Sequence, residues 1–241
     1  MEHHRRSGAF FLPGIGNHRA IVRIVILFLL IAAAVLVSIR TPARIPPSRA
    51  VWEPEISAFE KRDKIDPPPP NAVLFIGSSS IRKWTALGKD FPGVKVINRG
   101  FGGSEIDDST SFAGRIIFPY HPRIMVLYAG DNDLAAGKSP TEVVAEYTNF
   151  VSVIHGRLPQ TRIVFISIKP SAARWNLRDE IIETNRRIAA IDAAYLSFVD
   201  VYSHMLSANG RPRKDLLLSD GLHPDEKCYR LWASLIRPYL N

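Results

Sequence analysis

Residues 72–84 read AVLFIGSSSIRKW. Ala72–Ile76 is an unbroken apolar run, as expected of a strand buried on both faces. Gly77, three serines and a new apolar pattern follow. Strand, glycine turn, serine, helix is the order that exposes a hydroxyl at the amino end of a helix. Free N–H groups and the helix dipole there favour a developing oxyanion. The same serines also suit plain helix capping.

Working outward, Val94–Ile97, Ile124–Tyr128, Arg162–Ile168 and Ser197–Val201 are further strand candidates. Helical patterns separate them. The clearest carries Val143, Val144, Tyr147, Phe150, Val151 and Ile154. It opens with Ser139 as cap, Pro140 at the first helical position and Glu142 at the third, a capping box. Strand–helix alternation of this kind implies a parallel sheet with helices on both faces. In such folds the functional residues lie beyond the carboxyl ends of the strands.

Three more stretches stand at such places. Residues 98–104 read NRGFGGS, and their glycines let backbone N–H groups approach a ligand. Residues 130–133 read GDND, where the Asn132 amide can donate to an oxyanion or form an ordinary turn. Residues 220–224 read DGLHP. Asp220 can fold back onto the imidazole of His223 and orient it as a base, with Pro224 opening the last helix. Each stretch alone is compatible with a surface turn. In order, they supply a nucleophile, donors and an oriented base.

Upstream, Trp52, Ile56 and Phe59 recur at helical spacing, so residues 51–65 read as an amphipathic helix ended by Asp66 and Pro67–Pro70. Before it, Pro42, Pro46 and Pro47 make residues 40–50 a stiff tether. Ala20–Ile39 is apolar apart from Arg23 and Ser38, long enough to span a bilayer as one helix, and reads as a retained signal anchor in preference to a cleaved signal peptide or a buried core helix. The expected organisation is therefore a short tail (1–19), a transmembrane anchor (20–39), the tether (40–50) and a catalytic domain (51–241). The catalytic domain is expected on the extracytoplasmic side of a single-pass membrane protein.

The chain has 241 residues, 46% hydrophobic and 22% charged, with a net charge of +8. That suits one ordinary domain with an appendage. Much of the excess flanks the apolar span: Arg5, Arg6, Arg19, Arg23, Arg40, Arg44 and Arg49 face only Glu2. No helix carries a basic stripe with interleaved aromatics, so a nucleic-acid partner is not expected. Cys228 is the lone cysteine, which excludes an internal disulfide and a cysteine metal site.

FIGSSSIRKW, NRGFGGSEI, YAGDNDL and SDGLHP resemble the four blocks of the SGNH hydrolases, within the GDSL-like lipase and acylhydrolase group. The resemblance spans roughly residues 49–241. It implies a flavodoxin-like three-layer α/β/α sandwich and metal-independent ester hydrolysis without a cofactor. It implies Ser79 as nucleophile, His223 as base and Asp220 as its partner. Ser79 N–H, Gly103 N–H and the Asn132 side chain are the implied oxyanion donors. The usual Gly-Asp-Ser is here Gly77-Ser78-Ser79, with Ser78 replacing the acid.

Two other classes fit parts of the pattern. One is a metallohydrolase using Asp131, Asp133, Asp220 and His223. The other is a catalytically silent envelope- or carbohydrate-binding module on the same fold. The ester itself stays open between lipid, acylated glycan and small ester, with short acyl groups expected because no long insertion forms a lid. Arg82, Arg99, Lys169, Arg174, Arg211, Arg213 and Lys214 lie after strand ends or before Asp220. They read either as a solvated surface or as a rim attracting an anionic substrate.

Overall fold

The computed structural model describes residues 47–240. The expected anchor at 20–39 lies outside the described residues. Among those described, no helix is long and apolar enough to cross a membrane. The described elements begin with a 3-10 turn over Pro47–Trp52.

The elements then run α1 (Glu53–Ile65), β1 (Val73–Gly77), α2 (Ser79–Arg82), α3 (Leu87–Asp90), β2 (Val96–Gly100), α4 (Ile106–Ser111) and α5 (Ala113–Ile116). They continue with β3 (Ile124–Tyr128), α6 (Asp131–Ala135), α7 (Pro140–Arg157), β4 (Arg162–Ile166), α8 (Arg178–Ala189), β5 (Leu196–Val199) and α9 (Glu226–Ile236). The five strands form one parallel sheet in the order β2-β1-β3-β4-β5. That is the flavodoxin-like order, whose switch point lies between β1 and β3.

Alternate strand residues serve the two faces. Val73, Phe75, Ile124, Val126 and Val164 share one core with Trp84, Phe91, Tyr229 and Trp232 from the α2–α3 segment and α9. Phe75 meets Trp84 edge-on at 5.7 Å. On the opposite face Phe165 meets Tyr147 of α7 edge-on at 5.0 Å. The capping box of α7 forms as its residues dictate: Ser139 accepts from Glu142 N–H, and Glu142 accepts from Ser139 N–H at 2.7 Å.

Several expected boundaries move, for physical reasons. β2 starts later and runs on through Asn98, Arg99 and Gly100, where a loop was expected. Gly100 pairs with Gly77 in register. Asn98 Nδ2 donates to the Ile81 carbonyl at 2.7 Å, and Arg99 is held by Asp63 and Tyr120. These polar side chains tolerate a strand because their partners come from elsewhere in the fold. β4 stops at Ile166, since Asn185 takes both the N–H and the carbonyl of Ile168, at 2.8 Å each. β5 ends at Val199, and Ser167 Oγ accepts from Val201 N–H at 2.9 Å. Pro224 does not open the last helix. It bridges to Leu217, and Asp225 caps α9 by accepting from Cys228 N–H at 2.8 Å.

Candidate active site

The site forms where β1 and β3 part. Gly77 ends β1 at φ +126°, and a Cβ there would lie 1.9 Å from the Tyr128 carbonyl oxygen. Only glycine fits so close an approach. Ser78 N–H donates to that same carbonyl at 3.1 Å, and Phe101 N–H donates to the Gly77 carbonyl at 3.0 Å. The turn is thereby tied to both neighbouring strands. Ser79 follows as the first residue of α2, so its N–H is one of the helix-end donors without an intrahelical acceptor.

Ser79 is not a cap. Its Oγ lies 3.0 Å from His223 Nε2. His223 Nδ1 lies 2.6 Å from Asp220 Oδ2. The other carboxylate oxygen of Asp220 accepts from the N–H groups of Leu222 and His223, at 2.9 Å each. Desolvation works against the charged form of Asp220. The bonds from the His223 ring and from the two N–H groups outweigh it and hold the carboxyl well below the usual carboxylate range. An ionised carboxylate only accepts, so the ring proton sits on Nδ1 and Nε2 is left as the acceptor facing Ser79. Gly221, at φ +65°, lets the chain reverse between Asp220 and His223.

Gly103 lies on the loop after β2, and Asn132 in the first turn of α6, just after β3. No acceptor for Gly103 N–H is present among the described residues. Trp52 packs on this glycine, 3.2 Å from where a Cβ would stand, and meets Phe101 edge-on at 5.8 Å. Glu55 lies 3.4 Å from Gly102 N–H and pairs with Arg82 at 3.1 Å. Asn132 Nδ2 donates to the Ser104 carbonyl at 2.9 Å. Asp133 accepts from Ile106 N–H at 3.0 Å, fixing the far end of the glycine loop.

Below Asn132 lies a buried charge network that no local pattern announces. Lys169, 1% exposed, reaches Asp131 and the Tyr128 hydroxyl, each at 3.0 Å. Arg174 reaches Asp131 at 3.1 Å and donates to Asn132 Oδ1 at 2.9 Å. Burial pushes Asp131 toward the neutral acid, but the two cations win and lower its pKa. Burial and the Asp131 charge drive Tyr128 well above the usual phenol range, so it stays neutral.

These contacts correct the reading of the basic residues as a rim. Arg99 and Lys169 are buried. Arg82 pairs with Glu55, Arg174 with Asp131 and Arg213 with Asp215, while Arg211 lies over the Trp175 ring. Asp131, Asp133, Asp220 and His223 are engaged with these other partners, and no cluster of three or more side chains able to hold a metal ion occurs among the described residues. A hollow of about 600 Å³ opens at the amino ends of β1 and β3, between Pro67–Pro70, Tyr120 and His121. It contains none of the candidate site residues, and the Ser79–His223–Asp220 cluster lies at the other end of the sheet.

A family model described as the GDSL-like lipase/acylhydrolase family matches residues 77–231, and the chain belongs to this family. It is a hydrolase acting on ester bonds. The fold is similar to a candidate platelet activating factor from Streptococcus pneumonia, at TM-score 0.70 and 20% identity, covering 79% of this chain and 92% of that one. A GDSL-like lipase from Bacteroides thetaiotaomicron gives 0.65 and 19%, covering 77% and 96%. A carbohydrate esterase family 3 protein from Talaromyces cellulolyticus gives 0.54 and 19%, covering 70% and 95%. At these identities the likeness concerns the fold. No curated protein matches the chain in sequence.

Proposed function

We propose that the chain hydrolyses carboxylic esters through Ser79, His223 and Asp220. The observation that carries this reading is the 3.0 Å approach of Ser79 Oγ to His223 Nε2, with Nδ1 turned to Asp220. His223 Nε2 takes the hydroxyl proton as Oγ bonds to the ester carbonyl carbon. The carbonyl oxygen becomes an oxyanion facing the N–H groups of Ser79 and Gly103 and the Asn132 amide. The carbon–oxygen bond to the alcohol then breaks, and the alcohol leaves with the proton from His223. Water attacks the acyl-serine with the same base, releasing the acid and restoring Ser79.

Short acyl groups, such as acetyl, are the proposed substrates. Among the described residues, β1 passes into α2 and β3 into α6 through one or two residues each. Those two connections are too short to roof a long chain, and the longer ones after β4 and β5 carry Arg174 and the Asp220–His223 turn of the site itself. The Ala20–Ile39 segment is proposed to anchor the chain in a membrane with the catalytic unit on the extracytoplasmic side. Full-length protein should then stay in the membrane pellet through a carbonate wash, and release into the wash would remove the anchor.

Ser79→Ala tests the mechanism. Turnover of p-nitrophenyl acetate should fall by at least about 10³-fold with the melting temperature preserved, while Ser80→Ala keeps substantial activity. A fluorophosphonate should label Ser79 in the native chain. Near-normal turnover by Ser79→Ala would overturn the assignment.

A further inference from the structure

Among the proposed oxyanion donors, Asn132 is the one side chain, and an amide has two dissimilar ends. Its nitrogen end donates to the Ser104 carbonyl at 2.9 Å. Its oxygen end accepts from Arg174 Nη2 at 2.9 Å. A guanidinium has only donors and a carbonyl oxygen only accepts. One orientation of the amide therefore satisfies both neighbours. A 180° flip would set NH₂ against guanidinium and oxygen against oxygen, losing both bonds. The second amide hydrogen has no acceptor among the described residues and is left for substrate.

Arg174 is itself held. Its Nη1 lies 3.1 Å from Asp131 Oδ2, and the same oxygen takes Lys169 Nζ at 3.0 Å. Lys169 is locked in turn by the Tyr128 hydroxyl at 3.0 Å. The Arg174 side chain is 20% exposed, and Asp131 and Lys169 are buried beneath it. A rigid planar fork, anchored on one prong, is suited to fixing an amide in one pose. Removing it leaves Lys169 and Asp131 as a balanced pair, so its loss does not strand a buried charge.

We propose that Arg174 is a positioning residue of the oxyanion site: it holds Asn132 with the amide nitrogen, not the oxygen, turned to the substrate carbonyl. This rests on the reading of Asn132 as an oxyanion donor. Arg174 acts through Asn132 and touches neither the nucleophile nor the base. The same Asp131–Arg174 pair ties the loop after β4 to the start of α6.

A double-mutant cycle on the full-length protein tests this, with kcat and KM for p-nitrophenyl acetate and a thermal melt for each variant. Arg174→Met should lower kcat about 10–100-fold, the range for partners that orient a working group, with KM nearly unchanged. Arg174→Lys, which keeps the charge but not the fork, should recover part of that loss. In an Asn132→Ala background, Arg174→Met should cost no more than about threefold further, because the group it orients is gone. The full loss in both backgrounds, a loss confined to KM, or an unchanged kcat in Arg174→Met would each overturn the inference. If Arg174→Met fails to fold, the same cycle with Arg174→Lys decides by the same criterion. An Asn132→Ala variant with normal kcat would instead overturn the oxyanion reading beneath it.

Discussion

Asp133→Asn should change how stability depends on pH. Asp133 is fully buried, with Oδ1 accepting from Ile106 N–H at 3.0 Å. Its Oδ2 and the Glu146 Oε2 have no other partner, and Glu146 lies in hydrogen-bond reach. A proton between the two carboxyls satisfies both orphaned oxygens. Burial is the main cause, and the Glu146 contact adds to it. Together they push Asp133 up to about 7, against the bonds from Ile106 and the Lys138 charge. Unfolding at a pH between the ordinary value and 7 therefore releases a proton, and stability contributed by this group falls as pH rises. The slope is about 1.4 kcal/mol per pH unit across that window. Asparagine keeps the acceptor for Ile106 and supplies a permanent donor to Glu146. Between pH 5 and 8 the variant should therefore gain about 2–3 kcal/mol over the native chain. Urea denaturation of both proteins at fixed ionic strength, in steps from pH 5 to 8, measures the gap. Parallel stability curves, or an asparagine variant that loses ground with rising pH, would refute the shared proton.

Gly77→Ala should destabilise the fold by roughly 3 kcal/mol or more, through backbone strain and overpacking against the Tyr128 carbonyl. A thermal melt within about 1 kcal/mol of the native chain would contradict that close approach. Deleting residues 1–48 should leave an active enzyme, because Arg49, which pairs with Asp107 and Asp108 at the start of α4, is retained. Deleting through Trp52 should lower kcat about tenfold by loosening the Gly103 loop, and equal activity of the two truncations would show that Trp52 does not support it. With Arg99 and Lys169 buried and Arg82, Arg174 and Arg213 paired with acids, leaving Arg211 and Lys214 exposed, anionic and neutral esters should respond nearly alike to salt between about 50 and 300 mM. A steep fall in kcat/KM confined to the anionic ester would restore the charged rim.

What was legible depended on how far each partner lies along the chain. β1 and β3 are bare apolar runs, and local hydrophobicity suffices to read them. The Asp220–His223 bond closes over three residues and a glycine, so it too is local. Arg99 was expected in a loop because nothing nearby neutralises it. Its partner Asp63 stands 36 residues earlier, on α1. Lys169 and Arg174 read as surface cations, since such residues are seldom buried unpaired. Their shared partner Asp131 lies 38 residues before Lys169, and only the pairing of β3 with β4 brings them together. Pro224 looked like a helix opener by residue type, yet Asp225 is the cap, its side chain accepting from the Cys228 N–H of α9. The meeting of Ser79 with His223 spans 144 residues and follows from the order of the blocks, not from any spacing.

That long span has a consequence for synthesis. His223 stands just before α9, and α9 seats itself on the serine turn: the Tyr229 hydroxyl donates to the Ser80 carbonyl at 2.8 Å, and its ring stacks on Trp84 at 4.8 Å. A nascent chain can form β1, the Ser79 turn and the donor loops while the last turns of protein are still in the ribosome. On the proposed mechanism such a chain carries an unactivated hydroxyl and cuts nothing. On the same mechanism hydrolysis starts only once Asp220 and His223 have been made and seated by α9, and a product truncated before Asp220 lacks the proposed base and should be inert.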